Sequence, residues 1–146
     1  YKINKSNLIK MKKVKGYTIN ELVALEQLLN KCKNDKDLKN STTIISGIRL
    51  MKSVQASMKT FYDEQAALFK VLKVSESEKE GLKHYSWSDK PKKEQEAINA
   101  ALSELVKTEY TLEYTNRIDE HDFSVYTRGF SNSEVLYLYD FLVIKE

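Results

Sequence analysis

The sequence contains few of the residues that make loops, cross-links and breaks in helices. Its 146 residues include one cysteine, one proline and four glycines. Because Cys32 stands alone, no disulfide can form within the chain, and this composition suits a reducing compartment. The scarcity of proline and glycine favours long regular elements over a loop-rich β-sandwich.

The usual parts of an active site are scarce as well. There are two histidines, and no glycine-rich phosphate loop, His-Glu-x-x-His, paired Cys-x-x-Cys or nucleophile elbow occurs in the sequence. Cys32 occupies an apolar helical position, so we expect a buried, unreactive thiol. His84 stands alone in a polar segment. The sequence therefore predicts a non-enzymatic protein that needs no cofactor.

One run of residues resembles a metal site. Asp119, Glu120, His121 and Asp122 are four potential ligands in succession. Neighbours in sequence cannot all face one ion on a regular element, and no second cluster is spaced to complete a site. We interpret the run as an acidic turn and predict no bound metal.

Long apolar runs are absent too. No stretch of 18 apolar residues occurs, so we expect no membrane-spanning helix and no membrane partner. Hydrophobic residues nevertheless make up 41% of the chain and charged residues 31%. That balance is typical of a single globular domain with a core of its own.

The charges divide the chain into a basic arm, residues 1–16, and a domain, residues 17–146. The arm holds six lysines and no acidic residue, and because the whole chain carries a net charge of +3, the domain is net negative. A basic arm can contact phosphate or an acidic protein surface. The candidate contact residues of the arm are Lys2, Lys5, Lys10, Lys12, Lys13 and Lys15, and a possible second basic spot consists of Lys90, Lys92 and Lys93.

The first half of the domain predicts two helices. Thr18 and Glu21 fit a capping box, and leucines at helical spacing carry the first helix to an end within residues 31–34. From Ser41 or Thr42 to Leu72, apolar residues recur every three or four positions, which predicts an amphipathic helix of about thirty residues and about 45 Å. The predicted buried arc comprises Ile44, Ile48, Met51, Val54, Met58, Phe61, Tyr62, Gln65, Phe69 and Leu72.

The second half predicts two more helices and a small β element. Residues 73–90 are polar and are interpreted as a loop or linker, anchored by Tyr85 and Trp87, and Pro91 marks the start of a third helix. Residues 109–115 alternate with a period of two, which predicts a strand, and residues 123–127 are interpreted as its return strand.

A second capping box, Ser131 with Glu134, predicts a short final helix. The predicted class is mainly α, with α+β character: a helical bundle built on one long central helix, with a small β-hairpin near the C-terminus at 109–127.

The order of these elements resembles an uncharacterised family of small tailed-bacteriophage proteins. The residues that carry the resemblance are the capped helix start at 17–22, the long helix through Phe61 and Tyr62, the strand at 109–115 and the ending from Ser131. The likeness covers residues 12–146 and concerns layout. It brings no catalytic residues with it.

Two functions are therefore expected. The first is a structural or assembly protein of a tailed bacteriophage particle, acting through contacts with other protein subunits in homo- or hetero-oligomers. The second is a nucleic-acid-binding or host-modulating phage protein that uses the basic arm. Either function places the protein in the host cytoplasm or in the virion.

The arm is predicted to be a docking element that adds nothing to the core. Removing residues 1–13 should leave the melting temperature nearly unchanged, because chain ends seldom contribute to packing. Binding to an oligonucleotide or an anionic surface should weaken with the deletion and with added salt. A truncated chain that unfolds would show instead that the arm is structural.

Overall fold

A computed structural model describes residues 16–114 and 118–143, and five helices and four short strands lie in this part of the chain. The helices are α1 (Ile19–Lys31), α2 (Ser41–Val71), α3 (Lys92–Val106), α4 (Glu120–Tyr126) and α5 (Asn132–Leu142). The strands are β1 (Gly16–Tyr17), β2 (Ser75–Lys79), β3 (Leu82–Ser86) and β4 (Tyr110–Thr111). The mainly helical α+β class is confirmed, with α2 as its long central helix.

The main core is formed by α1, the first half of α2, α4 and α5. Leu22 and Leu25 of α1 meet Leu50 of α2 and Leu138 of α5, and all four side chains are almost fully buried. Tyr17, directly before α1, lies beside Phe141 of α5, with ring centroids 5.3 Å apart. Elements from both ends of the described chain therefore close one apolar centre.

Local signals fix the ends of α1 and α5. The Glu21 carboxylate accepts a hydrogen bond from the Thr18 N–H at 3.3 Å, and the Glu134 carboxylate accepts one from the Ser131 N–H at 3.0 Å. Both predicted capping boxes are present. Each satisfies backbone donors that the first turn of a helix leaves without a partner.

The long helix α2 has no such cap of its own. Its N-cap residue, Asn40, makes no side-chain cap hydrogen bond, and its first turn holds no acidic residue. The carboxylate of Asp122, from α4, instead binds the two residues that lead into the helix and the hydroxyl of Thr43 in its first turn. Its Oδ1 accepts from the Lys39 N–H at 2.8 Å, and its Oδ2 accepts from the Asn40 N–H at 2.9 Å and from the Thr43 hydroxyl at 2.7 Å.

Asp122 is fully buried, and it stays charged because of these donors. Burial alone would raise the pKa of its carboxyl, since it disfavours the charged form. The hydrogen bonds from Lys39, Thr43 and Asn40 outweigh burial and lower the pKa below its ordinary value. The negative charge also lies at the positive end of the α2 dipole.

Further contacts hold the loop between α1 and α2 against α4. The Asn40 side-chain amide donates to Asp119 Oδ2 at 2.8 Å. The Lys33 N–H donates to the Tyr126 carbonyl at 3.3 Å. After α4, Arg128 lies 2.9 Å from Asp37 and 3.4 Å from Asp35. Asp119 and Asp122 thus form a structural clasp on the start of α2.

One turn further along α2, the absence of a side chain lets α4 approach closely. A Cβ placed on Gly47 would overlap the hydroxyl of Tyr126. Thr43 and Gly47 are four residues apart, as are Asp122 and Tyr126, so the two contacts follow one another along neighbouring helix faces. Gly47 is therefore required by packing, although glycine weakens a helix.

A second packing centre lies at the far end of α2. The Phe69 ring is buried and stacks on Tyr85 and Trp87, with centroids 4.4 and 5.6 Å away. Trp87 Nε1 also donates to Asn99 Oδ1 of α3 at 3.1 Å. As predicted, Tyr85 and Trp87 anchor this region, and both rings pack against Phe69.

The structure corrects three predictions about the β elements. Residues 73–90 are not an irregular linker, because β2 and β3 pair there as an antiparallel hairpin, which turns at Glu80 and Gly81 with φ of 56° and 77°. The predicted hairpin at 109–127 is wrong. Residues 120–126 form helix α4, and Tyr110 pairs with Tyr17 of β1. The β1–β4 pair therefore joins the start of the domain to the segment that follows α3.

Replacing the buried carboxylate should destabilise the whole fold. We expect Asp122→Asn to lower the free energy of unfolding at neutral pH by about 3 kcal/mol, because the amide nitrogen would face backbone donors. The control Asp63→Asn removes an exposed carboxylate from a surface ion pair with Lys59 and should cost less than about 0.5 kcal/mol.

The pH dependence of this difference follows from the sign of the shift. The pKa of Asp122 is lower in the folded protein, so its contribution is present above the unfolded value of about 4 and disappears as pH falls through the folded value. In urea unfolding, the stability difference between wild type and Asp122→Asn should therefore hold above about pH 4 and shrink as the pH falls further below that value. A difference that does not shrink below about pH 4 would contradict the assignment.

Adding one methyl group to α2 at Gly47 should also destabilise the folded protein. Glycine to alanine in an exposed helix gains about 1 kcal/mol, but here we expect Gly47→Ala to lose about 1–3 kcal/mol through overlap with Tyr126. Tyr126→Phe removes the overlapping hydroxyl, so the same substitution should cost much less in that background. Denaturation of wild type, the two single variants and the double variant measures the coupling energy between the two positions. A stabilised Gly47→Ala protein would refute the packing argument.

Candidate partner-binding surface

The predicted basic contacts fall in two places. All six arm lysines, from Lys2 to Lys15, lie outside the described residues. Lys90, Lys92 and Lys93 lie at the start of α3, where Lys90 is 3.8 Å from Glu94 and largely covered, while Lys92 and Lys93 are exposed. The structure thus leaves two exposed cations at this spot.

Of the residues considered for chemistry, Asp119 and Asp122 hold the start of α2, and His84 and His121 are exposed. Among the described residues, no group of three or more His, Cys, Asp or Glu is arranged to hold a metal ion. Burial raises the pKa of the Cys32 thiol to about 12, an effect that Lys31 reduces slightly. Its Sγ donates to the Leu28 carbonyl at 3.5 Å, so the thiol is protonated at neutral pH and lies, partly buried, at the C-cap of α1.

The surface that stands out is the solvent face of α2. Ile45, Ile48 and Tyr62 are 44, 49 and 47% exposed. With the polar residues between them they form one line, spaced alternately by three and four positions, which keeps them on one side of a helix. This outward stripe consists of Ile45, Ile48, Lys52, Gln55, Lys59 and Tyr62, all of them exposed.

The outward stripe corrects part of the predicted buried arc. Of the ten arc residues, only Ile48 and Tyr62 are exposed, while Val54, Phe61 and Phe69 are buried. Ile45, outside the arc and beside Ile48, carries a further exposed apolar side chain. Covering half of an isoleucine side chain is worth about 1 kcal/mol, so the stripe would gain free energy from a partner.

The charge along this part of α2 has one sign. Residues 41–62 include Arg49, Lys52 and Lys59 and no acidic residue. Lys59 pairs with Asp63 at 2.6 Å, whereas Arg49 and Lys52 form no ion pair with any residue in the described ranges. Two unpaired cations therefore lie directly beside Ile45 and Ile48.

A shallow depression runs along one side of the stripe. It has a volume of about 600 Å³ and is lined by Arg49, Lys52, Ser53, Ala56, Glu113 and Tyr114. The segment after β4 forms its far wall, and it is fixed to α2 because the Glu113 N–H donates to Ser53 Oγ at 2.8 Å. The stripe and the depression together offer a ridge and a groove of the kind that helices use in packing.

A second depression, of about 520 Å³, lies between the end of α2 and the hairpin. Lys70, Lys73 and Lys83 line it, together with Glu76 and the ring of Tyr85. Lys83 is engaged with Glu76 at 3.2 Å, and this contact raises the pKa of Lys83. The Phe69 and Tyr85 rings stack on each other, so their faces are taken by internal packing.

From the sequence, Ile48 and Tyr62 belonged to the apolar arc of α2 and Ile45 lay outside it, so the outward stripe was not identified as one set of residues. One signal was present: the long acid-free run at 41–62, with Ile45 off the apolar arc. Asp122 was also missed as a clasp, since its partners are about eighty residues away in sequence.

The chain was compared with protein-family profiles, with curated proteins and with solved structures, and none of the three comparisons returned a match. None of the described helices is both long and apolar enough to cross a bilayer.

Proposed function

We propose that this protein is a non-enzymatic assembly protein of a tailed bacteriophage particle and that it binds another protein subunit through the outward stripe of α2. The observation that carries the proposal is the exposure of Ile45 and Ile48, side by side on the solvent face of a helix whose opposite face builds the core. Exposed apolar side chains on a rigid element favour a protein contact.

The rigidity of α2 supports this role. Its start is held by the buried Asp122 carboxylate and by the close contact of Gly47 with Tyr126. The stripe begins within this braced segment, so its side chains are held in place before binding. A surface prepared in this way loses little conformational entropy on association.

The particle itself is suggested by layout. A capped first helix, one long helix and a capped last helix are the features by which the sequence resembles the small tailed-phage proteins, and both capping boxes form. The alternative function, nucleic-acid binding by a phage protein, is favoured by the six lysines and the absence of acidic residues in residues 1–16.

The proposal is tested by incorporation into particles. A tagged protein is produced in the infected host, and particles are purified and probed for the tag. We expect wild type to co-purify with particles or their assembly intermediates and the double variant Ile45→Ser/Ile48→Ser to be lost from them. Because both residues are exposed, this variant should melt within a few degrees of wild type.

The matched control is Val71→Ser, which removes an apolar side chain that is 78% exposed at the other end of α2. It should be incorporated like wild type. Incorporation of the double variant at the wild-type level would refute the role of the stripe. Recovery of the protein with nucleic acid and not with particles would favour the alternative.

A further inference from the structure

We propose that the partner segment on the outward stripe is an acidic amphipathic helix of another protein. This inference rests on the proposed function and adds the chemistry and shape of the partner. Three observations carry it: the apolar ends of the stripe, its cationic middle, and the spacing of its residues.

The apolar residues point to a protein partner. Ile45, Ile48 and Tyr62 expose nearly half of their surface, and aliphatic side chains gain free energy only when other apolar groups cover them. A nucleic acid presents phosphates and bases, and proteins usually read single strands with aromatic stacking platforms. The pair of isoleucines would gain little from such a ligand.

The charges point to an acidic partner. Lys52 lies in the middle of the stripe, Arg49 lies beside it, and neither has an ion-pair partner among the residues that the structure describes. Lys59, the next cation of the stripe, has only an exposed pair with Asp63, which a stronger contact can replace. Carboxylates opposite Arg49 and Lys52 would complement a segment that contains no acid of its own.

The spacing points to a helical partner. Residues alternately three and four positions apart form the seam that a second helix follows in side-by-side packing. From Ile45 to Tyr62 this seam is about 25 Å long. The depression beside it, with Ala56 and Ser53 on its floor, provides room for the side chains of the partner. The matching ligand is a helix of about 18 residues.

The proposal is tested with synthetic peptides and the full-length protein. The probe is a fluorescent peptide of about 18 residues with leucines on one face and glutamates beside them. The first control peptide has lysine in place of glutamate, and the second has the probe's composition in scrambled order. Fluorescence anisotropy should show that the probe binds and that neither control peptide does. Added salt should weaken binding of the probe.

Two charge-reversal variants with equal changes in net charge locate the site. Arg49→Glu/Lys52→Glu should weaken probe binding by about tenfold or more, because glutamates would then face glutamates. Lys70→Glu/Lys73→Glu, in the last turn of α2 and just after it, should bind the probe within about twofold of wild type, since screening limits the reach of charge to about 10 Å. Ile45→Ser/Ile48→Ser should also weaken binding, which a purely electrostatic attraction would not predict.

Several results would overturn the inference. Equal loss in both charge variants would mean general attraction to a basic protein. Binding of an oligonucleotide that depends on Arg49 and Lys52 but not on the isoleucines would assign the face to nucleic acid. Dimers of the wild-type protein that Lys52→Glu abolishes in sedimentation would assign the face to a second copy.

Failure of this inference is distinguishable from failure of the proposed function. If Ile45→Ser/Ile48→Ser is lost from particles while Arg49→Glu/Lys52→Glu is incorporated normally, the stripe binds a subunit that is not acidic. If the probe binds as expected while the isoleucine variant is incorporated normally, the assembly role is wrong.

Discussion

The buried carboxylate of Asp122 is the interaction on which the fold most depends. It holds the start of the long helix α2, whose own N-cap residue makes no side-chain cap hydrogen bond, and it does so from a helix about eighty residues later in the chain. A carboxylate buried without donors would be strongly unfavourable, so the three donors from α2 and its preceding loop and the position of α4 are required together. Docking of α4 then carries Phe123 and Tyr126 into the core.

This constraint also sets which side of α2 faces solvent. Thr43, Gly47 and Leu50 must face α4 and the core, because Asp122, Tyr126 and the buried leucines meet them there. Ile45 and Ile48 lie on the other side as a result. Their exposure follows from a buried hydrogen-bond network one turn away, so the same contacts that stabilise the domain orient its candidate binding surface.

Elements with local signals were predictable, and elements that depend on distant partners were not. The bounds of α1 and α2 and both capping boxes follow from residues within one or two turns of each other. Residues 123–127 contain Phe, Val, Tyr and Thr, which favour strands, but the hydrogen bonds of Asp122 and the packing of Tyr126 select a helix. Here tertiary contacts overrode local preference.

The hairpin was missed for a different reason. Its strands are exposed along almost their whole length, and Tyr85 alone is partly buried, so no alternation of apolar and polar residues marks them. The partner of β4 was equally hidden, because a period of two predicts a strand without saying where its neighbour lies. The same limit applies to the candidate site, since only the packed fold shows which isoleucines of α2 remain uncovered.

The pairing of Tyr17 with Phe141 in one core has a consequence for synthesis of the protein. A ribosome makes α1 and the first half of α2 before it makes α4 and α5. The apolar faces of α1 and α2 are therefore uncovered until the later helices have been made. Domains whose early segments need late ones are prone to meet the wrong chain in that interval.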